Sequence, residues 1–174
     1  MTEITSPQSA PVAAEEEMID VPHLPGGNMI AGQHHSFLYI SSSFRDYRLD
    51  MASIATPESK IRKRDTVAVG TLQETLDQLA VDPERDWISQ GQFLYLSEQE
   101  RRHMLGEGRP NLFFLKKDDN RPAIQPGNLF ILVAYFYTTA KAVCVYEAGF
   151  QGVWTKDKGI DVRFFSRHFV PPRL

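Results

Sequence analysis

Only one cysteine, Cys144, occurs among the 174 residues. That excludes an internal disulfide and any zinc site built from several cysteines, and it suits a reducing compartment. Also missing is an apolar run long enough for a membrane helix. The most apolar stretch is "NLFILVAYFYTTA", Asn128 to Ala140, which runs nine residues without a polar interruption, Leu129 to Tyr137. A helix across a bilayer needs about 20. Lengthening this one to Tyr146 places Lys141 inside the span, at about 2.5–3.5 kcal/mol. Its aromatic and β-branched content, with "IQPG" before it, predicts a strand buried on both faces. The first thirty residues lack the apolar segment of a secretory signal, and no N-x-S/T acceptor occurs. Both lead to the expectation of an intracellular protein. Charge of one sign is not in excess either: the net charge is −3 and the pI is near 5.9. Attraction to nucleic acid or to an anionic membrane would need a local patch.

What is present suits one globular core with extensions. Hydrophobic residues make up 42% and charged residues 24%, an ordinary balance for a chain of this length. Residues 1–32 read as a disordered acidic, proline-rich tail. The stretch "MTEITSPQSAPVAAEEEMIDVPHLPGG" has four prolines and no aromatic residue, so burial would not offset its ordering entropy. Deleting it is expected to leave the melting temperature unchanged. A domain is expected over 33–155, with Phe37, Tyr39 and Phe44 seating its N-terminus, and a C-terminal extension over 156–174.

Within the domain, Thr56 to Arg64 reads as an exposed loop. Thr71 with Glu74 forms a capping-box pattern, and Leu72, Leu76 and Leu79 follow at helical spacing, with Pro83 ending the helix. "GQFLYLS" (Gly91 to Ser97) predicts a strand, and "SEQERRHML" a helical turn or two capped by Ser97 and closed by the turn "GEGRP". "NLFFLKK" predicts the next strand. "DDNRPAIQPG" has the chemistry of a hairpin loop leading to the apolar stretch as antiparallel partner. "AKAVCVYEAGF" is expected to form a helix with Val143, Cys144 and Phe150 on its apolar side. "IDVRFF" is a possible edge strand before Pro171–Pro172, which cannot extend a ladder. The fold class expected is therefore α+β, with three to four antiparallel strands covered by helices.

Candidates for chemistry are few. His34–His35 are adjacent, and successive side chains of a strand face opposite ways, so one metal rarely takes both. Cys144 with a distant His103 or His168 is the candidate for nucleophilic catalysis. Valines flank it in "KAVCVYE", which favours a buried free cysteine. "GEGRPN" lacks the strand-then-helix context of a phosphate loop. Asp118–Asp119 sit among Lys116, Lys117 and Arg121, as at a solvated hairpin tip. No catalytic, metal or cofactor set emerges. The basic cluster "KIRKR" places four positive charges in five residues: Lys60, Arg62, Lys63 and Arg64. Such a cluster suits a polyanion, an acidic or phosphorylated partner, or an import receptor. A solvated loop is the competing reading, since Glu58 and Asp65 offset part of the charge.

Four segments, in order, resemble subunit six of the Mediator head module. "FLYISSSFRD" resembles the family's "YFxxSPFYD", with Tyr39, Ser42, Phe44 and Asp46 matching and Ser43 and Arg45 replacing proline and tyrosine. "LDQLAVDPERDWISQGQFLYL" is similar to a helix followed by "GxEYxL", with Gly91 and Leu96 in place and Phe93–Leu94 standing for Glu-Tyr. "PNLFFLKK" is similar to "PxLFxIRK" at Pro110, Leu112, Phe113 and Lys117. "PGNLFILVAYFYTTA" resembles "PLxDYYIIxGxIYQAP", one residue shorter, at Pro126 and Tyr137. The resemblance spans about residues 36–150. It implies a non-enzymatic nuclear coactivator subunit that holds other head subunits together and relays signals to RNA polymerase II. No small-molecule substrate, membrane or sequence-specific nucleic-acid contact is then expected. Partner contacts would include Phe44, Asp46 and the basic cluster. Two other classes stay open: a small enzyme using Cys144 with a histidine, and a structural subunit of another large assembly such as an organellar ribonucleoprotein.

Overall fold

A computed structural model describes residues 16–27, 37, 39–40, 52–82, 85–116, 129–137, 141–147 and 153–168. The strands are β1 (Glu16–Val21), β2 (Tyr39–Ile40), β3 (Ser59–Thr71), β4 (Pro110–Lys116), β5 (Leu129–Phe136), β6 (Lys141–Glu147) and β7 (Val153–Arg167). Helices α1 (Leu72–Gln78) and α2 (Gln90–Glu98) follow β3, and a 3-10 turn spans Arg101–His103. Among the described residues the strands form one sheet in the order β1-β3-β7-β4-β5-β6-β2. The fold is α+β. The sheet is larger than the three to four strands expected, and mixed rather than antiparallel, because β4 runs parallel to β7 and β2 parallel to β6. No helix among the described residues is long and apolar enough to cross a membrane.

The apolar stretch is a central strand. β5 lies between β4 and β6, antiparallel to both. Its alternate residues enter two separate cores: Leu132, Ala134 and Phe136 join one, Val133 the other. The first core is aromatic at its centre. Phe93 meets Phe113 edge-on at 4.8 Å, and Phe113 stacks on Phe165 at 4.6 Å, geometries that the ring quadrupole favours. Phe37 stacks on Phe93 at 6.0 Å, so it does tie the chain before β2 to the core; Phe44 lies outside the described residues. The second core joins Leu112, Phe114, Val162 and Phe164 to Leu79, with Trp87 and Tyr135 packed against it.

The capping box of α1 forms as expected. Thr71 Oγ1 accepts from the Glu74 N–H at 3.2 Å, and the Glu74 carboxylate accepts from the Thr71 N–H at 2.6 Å. The helix stops at Gln78 with Leu79 as cap, before Pro83 is reached. Several expectations are corrected. "GQFLYLS" belongs to α2, because Ser89 and Gln92 form a second capping box just upstream. Four consecutive apolar residues fit a helix buried all round as well as a strand. Ser97 is consequently inside that helix rather than a cap. "KAVCVYE" is the strand β6, pinned on one side by β5 and on the other by β2; Phe150 lies outside the described residues. "IDVRFF" belongs to a strand at the heart of the sheet, paired to β3 and β4, so residues 156–168 continue the domain and are no edge.

Two further corrections concern the basic cluster and the acidic segment that pairs with it. Residues 59–64, expected as loop, open the 13-residue strand β3. Residues 16–21, expected in a disordered tail, form β1 on its outer side, with Ile19 and Val21 buried. Residues 1–15 and 28–32 lie outside the described residues.

The turn expected at "GEGRP" is present: Glu107 and Gly108 both take left-handed φ, 57° and 71°. It delivers the chain to a buried asparagine. Asn111 Oδ1 accepts from the Leu105 N–H at 2.8 Å, and its Nδ2 donates to the carbonyls of Leu105 (3.0 Å) and Ala134 (3.3 Å). Asn111→Ala strands these backbone groups away from water. We expect a loss of about 1–3 kcal/mol, read as a lower denaturant midpoint at unchanged slope.

Candidate interaction surface

The basic cluster does not project from a loop. Antiparallel pairing sets Glu16 opposite Arg64, Glu17 opposite Lys63, Met18 opposite Arg62 and Asp20 opposite Lys60. Paired residues of an antiparallel ladder share a face, so the four cations divide between two faces. One carries Lys60, Arg62 and Arg64; the other carries Lys63, beside the buried Ile19–Ile61 pair.

On the first face the rows extend across β7, where Ser166 lies opposite Arg62 and Phe164 opposite Arg64. Lys60 Nζ donates to Asp20 Oδ1 at 2.6 Å. Arg62 Nη2 lies 2.8 Å from His168 Nδ1. A guanidinium only donates, so Nδ1 accepts here and the imidazole proton sits on Nε2. Arg64 is 8% exposed and donates through Nη1 to the Leu79 carbonyl, the C-cap of α1. There the helix dipole favours a cation, and α1 has no basic residue of its own in its last turn. The guanidinium also lies over the Phe164 ring at 5.8 Å. Its pKa is lowered by burial first and by neighbouring Arg62 second. At the end of this face Glu58, Ser59, Lys60, Asp20, Arg167 and His168 line an open depression of about 370 Å³.

The pairing is incomplete. Glu16 Oε1 stands 3.4 Å from Arg62 Nε, within ion-pair range. Yet Arg62 Nε has no hydrogen-bond partner, and neither do Arg64 Nε and Nη2 or Ser166 Oγ.

On the second face Lys63 pairs with Glu17, and this contact is the first cause of a lowered Glu17 pKa. His103 lies between two carboxylates, with Nδ1 3.2 Å from Glu17 and Nε2 3.3 Å from Glu100. Arg163 grips Asp65 through Nε at 2.6 Å and donates through Nη1 to the His103 carbonyl at 2.6 Å. The 3-10 turn is thereby tied to β7 and β3, and through Glu17 to β1.

A depressed carboxylate pKa stabilises the fold above the unfolded value and loses that contribution as pH falls through the folded one. Acidification below the ordinary 4.5 is therefore expected to loosen β1 first. Amide exchange over residues 16–21 should quicken there before the β4–β5 amides respond. These partly exposed pairs contribute about 0–1 kcal/mol each, so the effect is local. Glu17→Gln should blunt it; exchange that stays uniform across the sheet would count against this assignment.

Phe44 and Asp46 lie outside the described residues, as do His34, His35, Asp118 and Asp119. Cys144 is on β6, three strand spacings from β7, so the two backbones are about 14 Å apart. His168 follows β7, and the His103 carbonyl is held by Arg163 of β7. The topology does not set either histidine beside the cysteine's strand. Among the described residues no group of three His, Cys, Asp or Glu side chains is placed to hold a metal. Sequence reasoning missed Glu16, Glu17 and Asp20 as partners of the basic cluster. Their signal was the complementarity of "EEMID" with "KIRKR", about 45 residues apart.

No family model matches the chain, and neither a curated protein nor a solved structure matches it.

Proposed function

We propose that the chain is a non-enzymatic interaction subunit, and that its assembly is the Mediator head of the nuclear RNA polymerase II machinery. The observation that carries the interaction reading is the β1–β3 ladder. Four cations and three carboxylates meet along two extended strands at the rim of the sheet, an arrangement suited to recognising another chain. The assembly is argued from the four ordered motifs of the sequence, whose described parts include β2, the α1–α2 segment, β4 and β5. In this reading the sheet is a rigid platform, and its direct partners are other head subunits. Affinity purification of the tagged full chain is the test. Recovery of head subunits and RNA polymerase II supports the proposal. Recovery without any transcription-complex subunit removes it, and imaging outside the nucleus would transfer the chain to another assembly.

A further inference from the structure

We propose that the outer edge of β3 is an exchangeable docking track for an acidic, extended segment of a partner protein. In the free chain β1 holds that track, and the partner's segment places a carboxylate opposite Arg62. This deepens the interaction reading above and rests on it. Three observations lead to it.

The first is the count of charges. From Lys60 to Arg64 β3 presents four cations, and β1 answers with three carboxylates, Glu16, Glu17 and Asp20. Asp65, the next residue of β3, is engaged with Arg163 on the other face. The acids reach Lys60, Arg62 and Lys63, Glu16 crossing diagonally to Arg62, so Arg64 is the cation left without a β1 carboxylate.

The second is the position at which β1 carries no acid. Met18 stands opposite Arg62 and is 38% exposed, so the carboxylate nearest Arg62 is Glu16, drawn from the rung it would share with Arg64. Unmet donors gather at that rung and the next: Arg62 Nε, Arg64 Nε and Nη2, with Ser166 Oγ directly across. A glutamate at the Met18 position lies within side-chain reach of Arg62, where a carboxylate accepts two parallel N–H bonds. A strand with that residue would meet Arg62 directly and leave the acid of the Glu16 position to its own partner, Arg64.

The third is how β1 is held. Among the described residues it is the outermost strand and hydrogen-bonds to β3 alone. Two buried side chains, Ile19 and Val21, hold it to the core, and among the described residues its carboxylates add ion pairs to Lys60, Arg62, Lys63 and His103. Strand addition to an exposed sheet edge is an established mode of recognition. Here main-chain bonds would supply affinity and the charge rungs would supply register.

The test uses fluorescein-labelled peptides of residues 15–21, one native and one with Met18→Glu, titrated into the full chain. The Ile19→Ala variant, its fold checked by circular dichroism, loosens β1. A second variant, Val21→Cys with Ser59→Cys and Cys144→Ser, locks β1 to β3 when oxidised. We expect saturable binding to the Ile19→Ala chain that weakens as salt rises. The Met18→Glu peptide should bind about tenfold tighter than the native one. Arg62→Ala in the same background should erase that difference, and the oxidised lock should abolish binding that returns on reduction. Equal affinity of the two peptides, binding indifferent to the lock, or no binding to the loosened chain would overturn the proposal. So would sedimentation showing that the loosened chain dimerises and that the peptide disperses the dimer, which assigns the edge to a second copy. Should Ile19→Ala not fold, the locking variant, reduced against oxidised, decides alone. Failure here leaves the purification result intact, because that experiment reads which proteins associate and not which edge they use.

Discussion

Leu132→Asp and Val133→Asp will each yield no soluble folded protein. The two residues are neighbours on β5, their side chains enter different cores, and both are fully buried. Either aspartate removes a carboxylate from water into an apolar core. That costs several kcal/mol, or forces protonation at comparable cost. A domain of this kind has only ~5–15 kcal/mol in total. The lost apolar packing adds about 2–5 kcal/mol, as for large-to-small core substitutions. On a strand with one solvated face only one of the two positions would be sensitive. Expression and solubility of both variants beside the wild type is the measurement. If either one folds to a cooperative domain, β5 does not lie between two cores.

Deleting residues 1–21 will lower the melting temperature by on the order of 10 °C. Composition alone led to the opposite expectation, and the reason for the reversal is specific. Ile19 and Val21 are buried, and each such side chain contributes about 1.5–3 kcal/mol. For a chain of this size one kcal/mol corresponds to roughly 2–4 °C. Deletion also bares Ile61, which is fully buried on β3, and leaves Lys63 without Glu17. The four cations of β3 then repel one another across an uncovered edge, so the truncated protein should recover part of its loss in high salt. Deleting residues 1–15 alone is the control and removes none of these contacts. A calorimetric scan of the three proteins decides the matter. An unchanged midpoint on removal of residues 1–21 would show that β1 does not dock.

The extent to which the chain could be read in advance differs from element to element. The α1 cap was legible because Thr71 and Glu74 interact three residues apart, and nothing remote is needed to satisfy them. The turn at Glu107–Gly108 was legible for the same reason. β5 was legible because an unbroken apolar run forbids a solvated face. The α2 segment was not, since "FLYL" obeys helix and strand periods equally and the deciding cap at Ser89 lies outside the run. β7 carried a signal that was underused: Phe164 and Phe165 are successive aromatics, hence one for each face of a sheet covered on both sides.

Local pattern thus determined the α+β class, the helix cap, the turn and the buried central strand, because each rests on residues a few positions apart. The number and order of strands, the central place of β7 and the partnership of β1 with β3 were decided only in three dimensions. In isolation "EEMIDV" is an acidic run and "KIRKR" a basic one, and each on its own repels itself and favours solvent. Their pairing becomes favourable when Ile19 and Ile61 are buried together over the Phe93–Phe113–Phe165 core. Closing a loop of about 40 residues between them costs entropy that local propensity cannot repay. The candidate surface shares that dependence: its cations were visible in the sequence, and the acids that meet them became partners through the sheet.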